Sequence, residues 1–380
     1  MHAPHHKSSK FEQIPSLPIM YFNARSLSNK MTLLQNYACE IKPKLIAVTE
    51  TWAKPEMPDG MYQLHGFNLL RADRHDKRGG GVMIYVDQTI SHSQISLCSH
   101  PELEFVCCKL QLSNNELIGI LCIYRPPNIT DTGDLNLINI VDNFMKLKFT
   151  YNVILGDFNM PSVDWKTLNG PIKFMPFVRC CSEHFLRQHV NESTRPNSNS
   201  ILDLIFSTIG TNIGEVAVEE CFGSSDHSII NFRLKLPSSY KTFDSHYVKR
   251  NYYKADWMLM SDLLSQTDWD SVFNDQNIDN VWKKFKKSLT DAVTSSIPYR
   301  KRKPWRLKAN PKIRTALRHV RRCYSVYRSQ KTNDSLLKFV QAKTYLQEHI
   351  TKQITYFEKY IVKTLQENPR RYWSYINSKL

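Results

Sequence analysis

Polar side chains end or precede several strand-like apolar runs, such as KLIAVTE, NVILGDFN and SIINF. This set comprises Asn23, Glu50, Tyr124, Asp157, Asn159, Asp226 and His227. Carboxylates are hard oxygen ligands for Mg²⁺, and a neighbouring acid and histidine suit proton transfer. Amides and a phenol can stabilise negative charge that develops on a phosphate. Together these residue types favour metal-assisted phosphodiester hydrolysis.

Asp203 stands inside the apolar run SILDLIF. An unpaired buried carboxylate is energetically unfavourable, so this acid is expected to have a hydrogen-bonded partner, and a histidine would serve. Each polar residue alone has a simpler interpretation, since an acid after a strand is usually a turn or cap residue and GDFN resembles many turns. The joint occurrence at so many strand ends argues against coincidence.

The surrounding pattern predicts an α/β fold over residues 18–240. Short β-rich runs alternate with Gly/Pro turns and a few helical segments, which indicates two packed mixed sheets flanked by helices, an α/β sandwich. NKMTLLQNYACEI has apolar residues on one helical face, and Ser28 is expected to cap that helix. The three glycines of RGGGV are expected to mark a tight turn into a strand, since their spacing fits no nucleotide-binding loop.

Beyond residue 236 the pattern changes to helices. Residues 237–250 are predicted to be a linker, and 251–380 a basic helical region. Two long helices, interrupted at SQKTNDS, are expected to form a hairpin with an apolar interior. Their apolar stripes comprise Ile313, Leu317, Val320, Tyr324 and Tyr327, then Leu346, Ile350, Ile354, Phe357, Ile361 and Leu365.

The net charge of +16 is concentrated in the C-terminal part. Residues 1–240 contain 22 Lys and Arg against 23 Asp and Glu, whereas residues 241–380 contain 29 against 12. Residues 301–330 hold eleven basic side chains and no acid. Such a field attracts polyanions, which predicts contact with nucleic acid, although a solvated helical face is the simpler interpretation.

The nine cysteines indicate reduced thiols in an intracellular protein. None lies in a C-x-x-C pair, and nothing resembles a soft nitrogen and sulfur metal site or a P-loop. No apolar run approaches the roughly 20 residues that span a bilayer. The N-terminal tail, residues 1–17, is polar and does not resemble a secretory signal.

An ordered set of motifs resembles the endonuclease/exonuclease/phosphatase superfamily, and more narrowly the apurinic-endonuclease-like domain of non-LTR retrotransposons. The motifs are FNARSL, AVTETW, RGGGVMIYV, IYRPP, VILGDFN, LDLIF and SSDHSII. The resemblance covers about residues 18–236 and implies a four-layer α/β sandwich. KPWRL and NPRRYWSYINSKL resemble the segment that joins such a domain to a reverse transcriptase. No reverse-transcriptase core follows, so the chain looks like a truncated reading frame.

The resemblance also implies roles for individual residues. Glu50 would be the main ligand of Mg²⁺ or Mn²⁺, with Asn23 beside it and Asp226 completing the acidic cluster. Asp157 would position or deprotonate the attacking water, and Asn159 would hold that water or the phosphate.

On the phosphate side, His227 would bond the scissile phosphate and be oriented by Asp203, while Tyr124 donates to the same phosphate. Thr194, Ser225 and Arg25 would lie at the DNA. Whether one or two metals act, and whether His227 or Asp157 is the base, stays open.

The function implied is a Mg²⁺-dependent endonuclease that nicks target DNA for retrotransposition, acting in the nucleus. The basic tail would contact DNA or the element's RNA. Two alternatives remain at this point: a non-catalytic nucleic-acid-binding relic, and another enzyme of the superfamily, such as a phosphoinositide phosphatase or a repair nuclease for abasic sites.

Overall fold

The computed structural model describes residues 16–75, 77–97, 100–112, 116–236, 248–274, 277–301 and 310–365, together with 369 and 373. The chain divides into two compact units, one formed by residues 1–243 with 306–380 and the other by residues 244–305. The predicted sequence boundaries at 236 and 250 stay a prediction. Most of the predicted linker, residues 237–247, lies outside the described residues, as do the N-terminal tail up to residue 15 and KPWRL.

Twelve strands are present in the described part of the first unit. They are β1 (Ser16–Asn23), β2 (Leu45–Thr49), β3 (Phe67–Ala72), β4 (Val82–Asp87), β5 (His92–Ile95), β6 (Glu104–Gln111), β7 (Leu117–Tyr124), β8 (Tyr151–Asp157), β9 (Leu186–Gln188), β10 (Asp203–Thr208), β11 (Ala217–Cys221) and β12 (Ser228–Lys235). Its helices are α1 (Met31–Ile41), α2 (Asp131–Met145) and α3 (Met175–Glu183), followed after the second unit by α7 (Pro311–Gln330) and α8 (Asn333–Lys363).

These strands form two six-stranded mixed sheets. The first has the order β11-β12-β1-β2-β4-β3, and the second has the order β5-β6-β7-β8-β10-β9. Strands β1 and β2 are parallel, as are β7 and β8, while the other neighbouring pairs are antiparallel. Each parallel pair is joined through a helix, α1 or α2, as parallel neighbours require.

Three buried apolar clusters define four layers. One cluster fills the space between the inner faces of the two sheets. A second lies between the outer face of the first sheet and helices α1, α7 and α8. The third lies between the outer face of the second sheet and helices α2 and α3. The predicted α/β sandwich of two mixed sheets flanked by helices is therefore confirmed.

The predicted cap of the first helix was wrong. Helix α1 begins at Met31, its cap residue is Lys30, and no side chain caps its amide groups. Ser28 instead shares a hydrogen bond of 3.0 Å with the hydroxyl of Tyr62. The serine lies too far before the helix for its oxygen to reach the first free amides.

The two long C-terminal helices form a hairpin, as predicted, and α8 begins with a capping box between Thr332 and Ser335. The hairpin also packs on the sandwich. Its Arg314 and Arg318 bind Glu40 on α1, with closest N–O distances of 3.1 and 2.6 Å. Two further arginines bind acids of the sandwich: Arg321 pairs with Glu219 and Arg328 with Glu192. Four basic residues in the described range 310–330 are thus paired within the chain.

The second unit is small and largely helical. It contains β13 (Val248–Arg250), α4 (Trp257–Ser265), α5 (Trp269–Phe273), α6 (Ile278–Ser296) and β14 (Tyr299–Lys301). Strands β13 and β14 pair antiparallel. Helix α6 spans DNVWKKFKKSLTDAV, within the region predicted to be helical.

Eight cysteines lie in the described residues, and none of these eight forms a disulfide. Among the described helices, none combines the length and apolar character that a bilayer crossing requires.

Candidate active site

A row of polar side chains ends the inner face of the second sheet. Asp157, the last residue of β8, is directly opposite Tyr124 on β7 and Asp203 on β10. Because residues directly opposite in paired strands share a face, all three side chains point toward the first sheet. The apolar core between the sheets therefore ends in two carboxylates and a phenol.

His227 and Asp203 are hydrogen bonded in the interior. The distance from His227 Nδ1 to Asp203 Oδ2 is 2.7 Å, and both side chains are buried. The Tyr21 hydroxyl donates to Asp203 Oδ1 over 2.7 Å and lies 2.9 Å from Thr49 Oγ1. The acid inside the apolar strand thus has the histidine partner that its position requires.

The charge of Asp203 changes the titration of His227. Burial alone would lower the pKa of the imidazole, but Asp203, with smaller contributions from Asp157 and Asp226, raises that pKa to about 9. An ionised Asp203 can only accept, so Nδ1–H donates to it and Nε2 is left to face the site.

Asp157 is held by two donors. Asn23 Nδ2 donates to Asp157 Oδ2 over 2.9 Å, and the backbone amide of Asn159 donates to Oδ1 over 3.2 Å. Burial, followed by the negative charge of Asp203, raises the pKa of Asp157. Asn159 adopts a left-handed backbone with φ +49°, and its side-chain amide donates to the Arg125 carbonyl over 2.8 Å.

Asp226 is paired with two arginines. Its Oδ1 lies 3.2 Å from Arg25 Nη1, and its Oδ2 lies 2.7 Å from Arg195 Nη2. Partial burial would raise the pKa of Asp226, but the hydrogen bond from Arg195, a backbone amide and the positive charges of His227 and Arg195 together lower it. In this arrangement the carboxylate predicted to complete the metal cluster is occupied by guanidinium groups. Arg195 was missed because it lies 31 residues from its partner.

Ser225 fixes the turn before His227. Its hydroxyl donates to the Asn23 carbonyl over 2.8 Å and accepts from the His227 amide over 3.2 Å. The side chain is buried, so its contacts join β1 to the turn that carries Asp226 and His227.

Glu50 follows β2 at the same end of the sandwich. It has a left-handed backbone with φ +54°, and the indole of Trp52 donates to its Oε2. Burial first, and then the negative charge of Glu50, raises the pKa of Tyr124. The same charge contributes to the raised pKa of Asp157. The charge of Glu50 therefore acts on both Tyr124 and Asp157. The Glu50 side chain is partly exposed.

A glycine loop and an arginine support this corner. Gly79, Gly80 and Gly81 all have positive φ, and a Cβ on Gly80 would lie 2.5 Å from Arg74 Cζ. Arg74 binds Glu104 through two bonds of 2.6 and 2.8 Å. The RGGGV glycines thus provide a tight turn before β4 and make room for this guanidinium, which the sequence reasoning missed.

Arg125, which the sequence reasoning also missed, holds the loop after β8 in place. The side chain is fully buried and binds Asp134 through two bonds of 2.6 and 3.0 Å. Its Nη1 also lies 3.3 Å from the carbonyl oxygens of Phe158 and Asn159. Because the Arg125 guanidinium has several N–H donors, it binds Asp134 and these carbonyl oxygens together and holds the backbone that follows Asp157.

Thr194 does not face outward as predicted. Its side chain is fully buried, and its hydroxyl accepts from the amides of Leu202 and Asp203 over 3.1 and 3.2 Å. The threonine thus holds the start of β10, and a contact between its side chain and DNA is not compatible with this position.

A cleft of about 980 Å³ opens beside these residues. Its walls are the loop after β8 and the loop between residues 190 and 202. Asn159 and Arg195 line it, which connects the cleft to the polar end of the sandwich. Trp165 and Lys166 also line the cleft.

The donor set at this end of the sandwich fits a divalent cation. Asp157, Asp203 and His227 offer ligand atoms within 4.8 Å of one another. Of the predicted ligands, Asn23 lies beside Asp157 and Glu50 contributes a partly exposed carboxylate. Carboxylate and amide oxygens are the ligands that hard cations prefer.

Known proteins provide a family match for part of the chain. Residues 118–231 match the family model described as endonuclease-reverse transcriptase. No curated protein sequence matches the chain.

Several solved structures are similar in fold. The endonuclease domain of TRAS1, a telomere-specific non-LTR retrotransposon, is 18% identical with a TM-score of 0.48, covering 58% of this chain and 99% of that one. The AP endonuclease LMAP from Leishmania major is 12% identical with a TM-score of 0.49, covering 58% and 88%. The 3′-5′ exonuclease NExo from Neisseria meningitidis is 15% identical with a TM-score of 0.43, covering 58% and 100%.

The matched segment, residues 118–231, contains β7, β8 and β10, whose ends carry Tyr124, Asp157 and Asp203. It also contains the turn with Asp226 and His227. The match to the endonuclease-reverse transcriptase family model therefore covers the strand ends and the turn that carry the candidate site residues.

Proposed function

We propose that this protein is a Mg²⁺-dependent endonuclease that nicks target DNA for retrotransposition and leaves a 3′-hydroxyl. The observation that carries the proposal is the meeting of Asp157 with the hydrogen-bonded His227 and Asp203 at one end of both sheets. They lie within the segment that matches the endonuclease family model.

Asp157 orients the attacking water and accepts its proton. Its two oxygens are fixed by Asn23 and by the amide of Asn159, so the carboxylate is already positioned before substrate binds. The Asn159 side chain is committed to the Arg125 carbonyl. Asn159 therefore acts by shaping the turn, and its amide group turns toward the water or phosphate only if that bond opens.

His227 and Tyr124 bind the scissile phosphate. Because Nδ1 is fixed to Asp203, the opposite edge of the imidazole donates to a phosphate oxygen in its charged form. Tyr124 keeps its proton at neutral pH, since its pKa is raised by burial and by Glu50, so its hydroxyl can donate to a phosphate oxygen. Fixed donors of this kind stabilise the negative charge of the transition state.

Glu50 and Asn23 would hold the divalent cation, with Asp157 next to them. When bound, Mg²⁺ or Mn²⁺ neutralises charge on the phosphate oxygens. Asp226 joins this set only if its arginine partners move to the phosphates of DNA, because both of its oxygens are paired.

DNA enters along the cleft beside Asn159. Arg25 and Arg195 lie at this edge with partly exposed guanidinium groups, which suit the phosphate backbone. Ser225 contributes by fixing the turn that carries Asp226, the partner of both arginines. Other basic residues of the tail, which do not bind the sandwich, also attract the phosphates of DNA or of the element's RNA. The DNA substrate implies action in the nucleus.

Cleavage of a panel of substrates tests this proposal. The full chain is expected to convert supercoiled plasmid to nicked circles in Mg²⁺, with loss of product in EDTA and recovery on adding Mg²⁺ again. An abasic duplex and inositol phosphates are assayed in parallel at equal phosphate concentration. Cleavage of only the abasic duplex or only inositol phosphates would contradict the proposal, and so would salt-sensitive binding of plasmid without any product.

A further inference from the structure

A second cluster of metal-ligating side chains lies on the outer face of the second sheet. It consists of Asp142 on α2 with Cys180 and His184 at the end of α3. The inner face of the same sheet carries Asp157 and Asp203. We propose that Asp142, Cys180 and His184 form a binding site for a transition metal ion of the Zn²⁺ class.

The spacing along α3 brings the first two ligands together. Cys180 and His184 are four residues apart at the end of the helix, so their side chains lie on the same face. The third ligand comes from the neighbouring helix α2 and faces both of them. Two helices packed against each other thus supply three ligands, which fixes their relative positions.

The distances suit one small ion. His184 Nε2 lies 2.6 Å from Asp142 Oδ1, and Cys180 Sγ lies 3.6 Å from the same oxygen. One potential ligand atom from each residue lies within 4.8 Å of the others. In a tetrahedral site with bonds of about 2.0–2.3 Å, neighbouring ligand atoms are roughly 3.2–3.7 Å apart, so only small side-chain shifts are needed.

Burial places the sulfur inside and the other two ligands outside. Cys180 is 3% exposed, whereas the side chains of His184 and Asp142 are 28% and 39% exposed. An ion can therefore enter from solvent between His184 and Asp142, and a water molecule can take the fourth position.

The ligand types select the metal class. Thiolate and imidazole favour Zn²⁺ and its analogue Co²⁺ over Mg²⁺, which prefers an all-oxygen set. This distinguishes the cluster from the oxygen-rich donors at Asp157. On binding, the Cys180 thiol gives its proton to solvent and its sulfur bonds the ion. The proton between His184 Nε2 and Asp142 moves to Nδ1 through solvent, so that Nε2 and the Asp142 carboxylate each bond the ion in place of their hydrogen bond.

The sequence pattern CCSEH contains the signal for two of these ligands. The third, Asp142, lies 38 residues away from Cys180 and becomes visible only when α2 packs on α3. Most zinc motifs place their ligands in closely spaced pairs along the sequence. This cluster takes one ligand from a distant helix, so the sequence indicated no soft metal site.

Absorption of Co²⁺ bound to the full chain tests the proposal. After treatment with EDTA and removal of the chelator, added Co²⁺ is expected to give a thiolate-to-cobalt charge-transfer band at one equivalent, and Zn²⁺ is expected to remove it. Cys180→Ser should lose the band, and Asp142→Asn should weaken Co²⁺ binding by about tenfold or more. Oxygen ligands give no thiolate band, so binding at Asp157 does not interfere.

Cys181→Ser is the matched control, because Cys181 is equally buried but is not among the cluster's ligands. It should keep the band. The proposal would be overturned by a folded wild-type chain with no thiolate band at saturating Co²⁺. A band that persists in both Cys180→Ser and Asp142→Asn would also overturn it. Loss of structure in Cys180→Ser, seen by circular dichroism, leaves Asp142→Asn to decide, since that residue is partly exposed.

Discussion

Replacing Asp203 with Asn is expected to slow plasmid nicking by about 10²–10⁴-fold while the fold is retained. The two side chains have the same shape, so the bond to the Tyr21 hydroxyl can survive. Asparagine can present an N–H to His227 Nδ1, which forces the ring proton onto the opposite nitrogen. The imidazole then cannot become charged as readily, which weakens its donation to the phosphate. Single-turnover nicking rates at saturating Mg²⁺ measure the effect.

Tyr21→Phe is the matched control for that substitution. It removes the other hydrogen bond to Asp203 but leaves the carboxylate beside His227. We expect a loss of less than about tenfold, consistent with the net value of one hydrogen bond. Equal losses in the two variants would show that Asp203 acts through general packing. If Asp203→Asn stayed fully active, the pairing of Asp203 with His227 would have no part in the mechanism.

Leu317→Ala is expected to destabilise the first unit by about 2–5 kcal/mol, although Leu317 lies far along the chain from the sheets. The side chain is fully buried in the cluster between α7, α8, α1 and the first sheet. Truncation removes apolar contacts and leaves a cavity that this packed layer cannot fully close. The free energy of unfolding in urea, followed by the fluorescence of the full chain, measures the loss.

Leu337→Ala serves as the comparison, because Leu337 on α8 is 56% exposed. That change should stay within about 0.5 kcal/mol of wild type. If Leu317→Ala proved equally neutral, α7 would not be part of the folded unit that contains the two sheets.

Much of the fold was predictable because its strands are strongly patterned. Apolar runs with clear turn residues located β2, β4, β7, β8 and β12. Short or weakly apolar strands such as β5 and β9 were missed, since a run of three or four residues gives little periodic signal. The cap at Ser28 was wrong because capping depends on where the backbone turns, and nothing in the sequence fixed that point.

At the site, strand ends were more predictable than side-chain partners. Asp203 was identifiable because an acid in an apolar strand requires a partner, and His227 lies 2.7 Å from it. The pairing of Asp226 with Arg195 depends on a loop that returns from 31 residues away. Local sequence has no information about such long-range contacts.

The basic tail shows the same limit. Its charge indicated contact with polyanions, and the helical pattern gave the hairpin correctly. Arg314 and Arg318 nevertheless bind Glu40, so part of this charge attaches the hairpin to α1. Counting charges along a sequence cannot separate side chains that serve an intramolecular ion pair from those that remain for a partner.

The central claim is that Asp157 is the catalytic carboxylate of a phosphodiesterase site. The most direct measurement compares plasmid nicking by wild type and Asp157→Asn in Mg²⁺, with circular dichroism to establish that both are folded. The account predicts nicking by wild type and a loss of at least about 10²-fold in the variant. Equal nicking by the two folded proteins would contradict it.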